Sequence, residues 1–270
     1  AWSMVKGEVL PNKKWQIPVS CMVCNFTKPT EKDPSLLTHD EVETYFHEFG
    51  HVMHNLLTES KYDYFSGTSV YRDFVEAPSQ MLENWVWNAD VLQTLSGHYQ
   101  DHSKKLPRDL LDRMIEAKNL DNGLKYSRQA FFALTDMNYH TKPTTNTTDV
   151  WHDGMKNIFG IAAQPGTHEE ATFGHLFGYE AGYYSYLWSE VFAADMFSRF
   201  KAEGVMNPKT GMAYRKDILA PGGSKEPMDL LKSFLGREPN QEAFLEHIGV
   251  KAGATPAGAT SSRPSSASPN

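Results

Sequence analysis

His47-Glu48-Phe49-Gly50-His51 carries the densest chemistry in this chain. On a helix, positions i and i+4 share a face one turn apart, so both imidazoles can reach one tetrahedral metal ion. The glutamate after the first histidine then stands beside that ion, placed to take a proton from a bound water. That is the chemistry of zinc-assisted hydrolysis. The bland alternative is a surface helix with two incidental histidines, so the flanking residues must decide.

Thr38-His39-Asp40-Glu41 reads as a capping box and predicts a helix running to about Leu57. Val42, Tyr45, Phe46, Phe49, Val52, Met53 and Leu56 recur at helical period and form an apolar stripe. Asp40, Glu43, Thr44, His47, His51 and His54 fall on the other side. Catalytic zinc usually takes three protein ligands and leaves one position for water. In Asp73-Phe74-Val75-Glu76-Ala77-Pro78, Asp73 is a candidate cap for a second helix, and Pro78 is tolerated in its first turn. Glu76, in that same turn, is the expected third ligand. Glu83, two turns further on, and Glu43, one turn before His47, are candidates to hold a histidine N–H; either can equally be a plain surface acid.

A second cluster lies at residues 173–190. Tyr179, Tyr183, Tyr184 and Tyr186 follow His175 and alternate with Gly174, Gly178 and Gly182. Glycines permit a loop with positive φ, and tyrosines offer hydroxyl donors on rigid apolar bodies. Zinc hydrolysis needs donors aimed at the oxygen that turns negative, each worth about 3 kcal/mol. The competing reading is an aromatic helix start buried in a core.

These stretches resemble the thimet oligopeptidase and neurolysin family of zinc oligopeptidases. The residues that carry the resemblance are His47 to His51, Asp73 through Trp85, Phe173-Gly174-His175-Leu176, Gly178-Tyr179, Gly182 through Trp188, and Phe234-Leu235-Gly236-Arg237. It implies a mainly α fold: a zincin-like catalytic domain of a predominantly helical oligopeptidase, with a small β element beside the metal helix. It implies one Zn2+ held by His47, His51 and Glu76, with Glu48 as general base. It also implies that His175, Tyr183 and Tyr186 line the cleft opposite the metal, Tyr186 supporting the oxyanion. Phe177 to Gly182 matches the family's flexible glycine-rich loop, giving Gly178 and Tyr179 a part in substrate binding. That loop is a residue shorter than in thimet oligopeptidase and nearer in length to mitochondrial intermediate peptidase. Members of the family are much longer, so residues 1–250 read as the catalytic C-terminal portion, without the helical lobe that precedes the metal helix. Two alternatives follow: a processing peptidase of the mitochondrial intermediate type, or an inactive zinc-binding fragment that binds peptides or partners.

The 270 residues are 40% apolar and 12% aromatic, enough for a real core. A formal charge of −7 gives no basic footprint for nucleic acid. No apolar run reaches the length of a membrane span, and no signal-type segment stands at the amino end. The resemblance makes short peptides the expected partners, in a cytoplasmic setting, with mitochondria as the alternative. Cys21-Met22-Val23-Cys24 lies in an apolar run and reads as buried, reduced thiols rather than a redox or metal pair.

Along the chain, Trp15 to Phe26 is strand-like, and Tyr62 to Arg72 alternates around Ser66-Gly67 as a hairpin beside the metal helix would. Such an edge could pair with a substrate backbone. Helices follow at about 78–96, 107–118, 122–140, 147–158, 182–203, 226–235 and 240–248, with Pro107 and Asn207-Pro208 as breakers. From about Lys251 the Ala, Gly, Ser, Thr and Pro-rich segment reads as a disordered tail, 251–270.

Overall fold

The computed structural model describes residues 1–143 and 145–250, so the tail expected at 251–270 lies outside the described residues. Ten α-helices and four short strands make up the described chain, which is mainly helical as the resemblance implies. None of those helices is long and apolar enough to cross a membrane.

Helix α1 spans His39–Leu56. Its capping box is complete: the Thr38 hydroxyl accepts from the Glu41 amide at 3.3 Å, and Glu41 Oε2 accepts from the Thr38 amide at 2.8 Å. The helix does not bury the face that its apolar stripe suggests. Val52 is buried, but Tyr45, Phe49 and Leu56 are exposed, while His54 on the histidine side is wholly buried. The reason is helix α2, Glu76–Glu83, which packs along that histidine face. Gly50 permits the approach: a Cβ there would sit 2.6 Å from Ser79 Cα.

Asp73 does not cap α2. Residues 71–75 already coil as turns, with Phe74 and Val75 amides donating to the Tyr71 carbonyl, so the helix grows out of an existing turn. Asp73 instead accepts from the Tyr184 hydroxyl at 3.2 Å, and its carbonyl accepts from Ser189 at 2.8 Å. The single helix expected over 78–96 is broken: α2 tightens into a 3-10 turn at Asn84–Trp87, and Asn88 caps a separate α3, Ala89–Leu95. The Asn88 side chain accepts from the Asp90 and Val91 amides, the competition with helix continuation that asparagine is known for.

Downstream run α4 Arg108–Ala117, α5 Asn122–His140, α6 Thr147–Phe159 and α7 Ser185–Glu203. Asn207-Pro208 does not simply break the chain; Asn207 caps α8, Pro208–Tyr214, with proline where its missing N–H costs nothing. A π-turn at Arg215–Leu219, then α9 Pro227–Leu235 and α10 Glu242–His247, complete the order. Helices α2 and α7 cross in the main core, where Phe74, Met81, Met196, Ile218, Leu231 and Phe234 are almost fully buried. A second core gathers Phe131, Trp151, Phe173 and Tyr183.

Strands β1 Trp2–Val5 and β4 Val19–Cys21 form an antiparallel ribbon against α1, and β2 Glu8–Val9 pairs with β3 Trp15–Gln16. This is the small β element. The strand expected over 15–26 is interrupted at Pro18, which has no N–H for a ladder. Residues 62–72 are not a hairpin. Asp63–Phe65 is a 3-10 turn, and the segment's polar groups are claimed from outside: Asn55 Oδ1 accepts from the Thr68 amide and hydroxyl, and Ser66 Oγ accepts from the Gly7 amide. Both cysteines are free but only half-buried, because the ribbon they follow is covered on one face.

Candidate metal centre and active site

Helix α1 supplies His47 and His51 from successive turns, and the first turn of α2 supplies Glu76. Nε2 of His47 lies 3.2 Å from Glu76 Oε2, and Nε2 of His51 lies 3.1 Å from the same oxygen. Zinc bonds of about 2.0–2.2 Å in tetrahedral array put ligand atoms about 3.4 Å apart, so the three donors stand at close to one coordination shell's spacing. Nδ1 of His47 meets Glu83 Oε1 at 2.6 Å, so this nitrogen carries the proton and Nε2 is turned toward the ion's place.

The electrostatics make the same point. Two ring nitrogens aimed at one carboxylate oxygen require positive charge between them. Burial opposes charge on His47, yet the Glu76 and Glu83 carboxylates outweigh it and push its pKa up to about 10. Burial likewise opposes charge on Glu76, and the two histidines outweigh it, holding that carboxyl well below its usual range. A centre that grips a proton this firmly suits a divalent cation, and the donor set is one zinc accepts.

Glu76 is buried and fully engaged. Ser79 Oγ donates to its Oε2 at 3.0 Å, and the Tyr179 hydroxyl donates to its Oε1 at 2.9 Å. Glu48 is partly exposed beside the histidines, and its Oε2 accepts from the Ala1 amine. Glu43 does not hold a histidine; its Oε1 accepts from Trp87 Nε1 at 3.0 Å, because the 3-10 turn after α2 brings that indole over the start of α1. His39, Asp40 and Glu43 also bring donor atoms within 4.8 Å of one another, but the Val86 carbonyl lies 2.9 Å from His39 Nε2 and Trp87 engages Glu43. His54 lies one turn below His51 with no partner on either ring nitrogen among the described residues, and burial lowers its pKa to about 3.

The aromatic cluster closes over the metal ligands. Tyr179 and Tyr186 stack at 5.3 Å and 22°. His175, exposed on a 3-10 turn, meets Tyr186 edge-on at 5.7 Å and Tyr183 at 5.0 Å. Burial, with the Glu76 charge behind it, pushes Tyr179 up to about 12 and raises Tyr186 too, so both hydroxyls remain protonated donors. Tyr183 is divided between the two readings of this cluster: its ring belongs to the second core, and its hydroxyl donates to Gln129 at 3.0 Å.

Gly178 adopts φ +132°, a conformation glycine alone takes readily, and its carbonyl accepts from the Arg72 guanidinium. Arg72 also lies over the Tyr179 ring, 5.1 Å from its centre. Buried Asp136 anchors the loop's end by accepting from the Ala181 and Tyr183 amides, both at 2.9 Å. Sequence reasoning missed Arg72, Ser79, Gln129 and Asp136. Arg72 borders the Asp73–Trp85 motif and could have been noticed; of the Asp136 partners only His140, four residues on, is local, while the two loop amides lie 45 and 47 residues away.

A mainly helical domain with H-E-x-x-H on one helix and a carboxylate donor from the next is the class that this geometry defines. Residues 1–250 match peptidase family M3, and the chain belongs to that family. It is 52% identical to the thimet-like oligopeptidase of Dictyostelium discoideum, across 92% of this chain and 38% of that protein. It is 45% identical to oligopeptidase A of Escherichia coli, across 87% of this chain and 36% of that protein. Saccharolysin of Saccharomyces cerevisiae is 44% identical, across 87% of this chain and 34% of its own length. The chain thus spans less than two fifths of these relatives.

Proposed function

We propose that residues 1–250 are the catalytic region of a zinc-dependent endopeptidase that hydrolyses short peptides. The observation that carries this reading is the meeting of His47 and His51 Nε2 at one oxygen of Glu76, with Glu48 adjacent. A zinc ion held there by His47, His51 and Glu76 would supply Lewis acidity toward a water and the scissile carbonyl. Glu48 takes the proton from that water and later delivers it to the departing amine. Tyr186 donates its hydroxyl to the carbonyl oxygen as negative charge develops, and Tyr179 holds Glu76 in place from the opposite side. Glu83 fixes the His47 ring. His175 borders the same cleft. The oligopeptidase names of the relatives support peptide substrates of limited length. Both thiols are free, in keeping with a reducing cytosolic compartment.

The test is hydrolysis of a quenched-fluorescence peptide by the zinc-loaded protein, with a chelator and zinc re-addition as the two arms, repeated on a version carrying the upstream lobe. Zinc-dependent cleavage by both supports the reading. Cleavage only with the lobe present makes this region a metal-binding part of a divided site, and none by either overturns the proposal.

A further inference from the structure

Behind His47 lie two adjoining cavities. The outer one, about 280 Å³, borders His175 and Tyr186 and reaches Glu83, Gln129 and Glu190. The inner one, about 50 Å³, shares Gln80, Glu83, Lys125 and Glu190 with it and continues to Lys118 and His247. The outer cavity therefore touches both the carboxylate that orients a metal ligand and the tyrosine that faces the metal.

The outer cavity's lining sets two carboxylates, Glu83 and Glu190, against a single lysine, Lys125. Glu83 uses one oxygen on His47 Nδ1, and Glu190 uses one on the Tyr126 hydroxyl at 2.6 Å. Gln80 donates its Nε2 to the Tyr186 carbonyl at 3.1 Å, and its buried Oε1 has no partner among the described residues. Among the described residues neither Glu83 nor Glu190 is ion-paired with a lysine or arginine. Lys125 packs over the Tyr126 ring, 5.6 Å from its centre, and Lys118 Nζ lies 3.3 Å from His247 Nδ1. His247 adds no charge, because burial and the neighbouring lysines lower its pKa to about 3. Burial raises the Glu190 carboxyl above its ordinary value despite the Tyr126 hydrogen bond and the Lys125 charge. Half-buried carboxylates lining a cavity without a lysine or arginine ion pair are completed by a ligand that brings N–H donors and positive charge.

We propose that this cavity is a side-chain subsite for a residue flanking the scissile bond, selecting arginine or lysine, with Glu190 as the specificity-determining carboxylate. The inference rests on the peptidase reading above. A guanidinium entering past Tyr186 meets the open oxygens of Glu190 and Glu83, while its alkyl stem lies along Leu187 and the Tyr183 ring. A leucine in the same place leaves those acceptors without partners, which is how a polar site rejects an apolar side chain.

The test uses matched quenched peptides that carry Arg, Leu or Glu immediately before or after the cleaved bond. For the wild-type protein the Arg peptide is expected to exceed the Leu peptide in kcat/KM, with Glu the poorest, at one of the two positions. Glu190→Gln keeps the acceptor for Tyr126 and should lower the Arg-to-Leu ratio by about tenfold. Gln129→Glu, which adds a carboxylate to the same cavity, should raise it. Identical ratios in all three proteins, or no Arg preference at either position, overturn the subsite. Fluorescence anisotropy of labelled versions of these peptides on Glu48→Gln protein separates this from the hydrolase reading. Arg-selective binding without turnover by the wild type overturns only the hydrolase reading, whereas turnover with unselective binding overturns only the subsite.

Discussion

Nδ1 of His47 lies 2.6 Å from Oε1 of Glu83, and this contact decides which face of the ring is offered to a metal. Seven residues separate Glu83 from Glu76, two turns of α2, so one helix supplies both the carboxylate that meets the two histidine nitrogens and the carboxylate that holds His47. Removing Glu83 leaves His47 free to rotate and to change tautomer. Glu83→Ala is expected to weaken zinc affinity by about 10–100-fold, and Glu83→Gln by less because an amide oxygen still accepts the N–H. Competition with a chromophoric chelator reads both constants. Unchanged affinity in Glu83→Ala would show that the ring is held by something else.

Glu48→Gln keeps the shape of the side chain and removes its basicity. The variant should bind one zinc per chain, unfold at the wild-type midpoint and lose about 10²–10⁴-fold in kcat. Metal analysis beside peptide turnover checks the two halves separately. Full activity would remove Glu48 from the proton transfer.

The two tyrosines act on different steps. Tyr179→Phe removes the 2.9 Å hydrogen bond to Glu76 and should appear chiefly as weaker zinc binding. Tyr186→Phe should leave zinc binding alone and lower kcat by about 10²–10³-fold with little change in KM, the pattern of a donor used only in the transition state. Equal effects of the two substitutions on both readouts would dissolve the distinction.

Gly50 sets how closely α1 and α2 approach. A methyl group there meets Ser79 Cα at 2.6 Å, backbone that cannot swing aside, so α2 must shift and carry Glu76 with it. Gly50→Ala should cost about 1–3 kcal/mol of stability and weaken zinc binding as well. Gly211→Ala, in α8 with nothing near its Cβ, should be neutral or stabilising by up to about 1 kcal/mol. Urea denaturation compares them, and a Gly50→Ala protein as stable as wild type would mean that the helices slide apart freely.

Much of this centre was legible in the chain because its grammar is local. The Thr38 and Glu41 capping box, the His47–His51 spacing and the position of Glu76 in the next helix's first turn all follow from rules that act within a few residues. The polarity of α1 was not legible. A hydrophobic stripe predicts the buried face only when water covers the other side, and here the other side is covered by α2. The histidine face is therefore interior, while Tyr45, Phe49 and Leu56 are exposed. The loop at 62–72 failed as a hairpin for a related reason: Asn55 and Gly7, distant in sequence, supply the hydrogen bonds that a second strand would have given. Asp73 was misread as a cap because the turn ahead of α2 had already satisfied the amides a cap would serve.

His54 gives the fold a pH dependence that is separate from metal binding. Burial holds its pKa at about 3, against about 6.5 in an unfolded chain, and His247 is lowered to about 3 in the same way. The folded-state pKa is depressed for a base, so between these values the unfolded chain binds more protons than the folded one. Stability must then fall as pH drops from about 6.5 toward 3, each histidine contributing a slope of at most about 1.4 kcal/mol per pH unit. Above about 6.5 both histidines are neutral in either state and their contribution to the slope vanishes. His54→Leu removes one of the two titrating groups and should flatten the dependence of the urea midpoint between pH 6.5 and 4, measured with zinc chelated throughout so that ligand protonation is common to both proteins. The same slope in wild type and His54→Leu would mean that His54 takes up its proton without unfolding, through a local opening at the foot of α1.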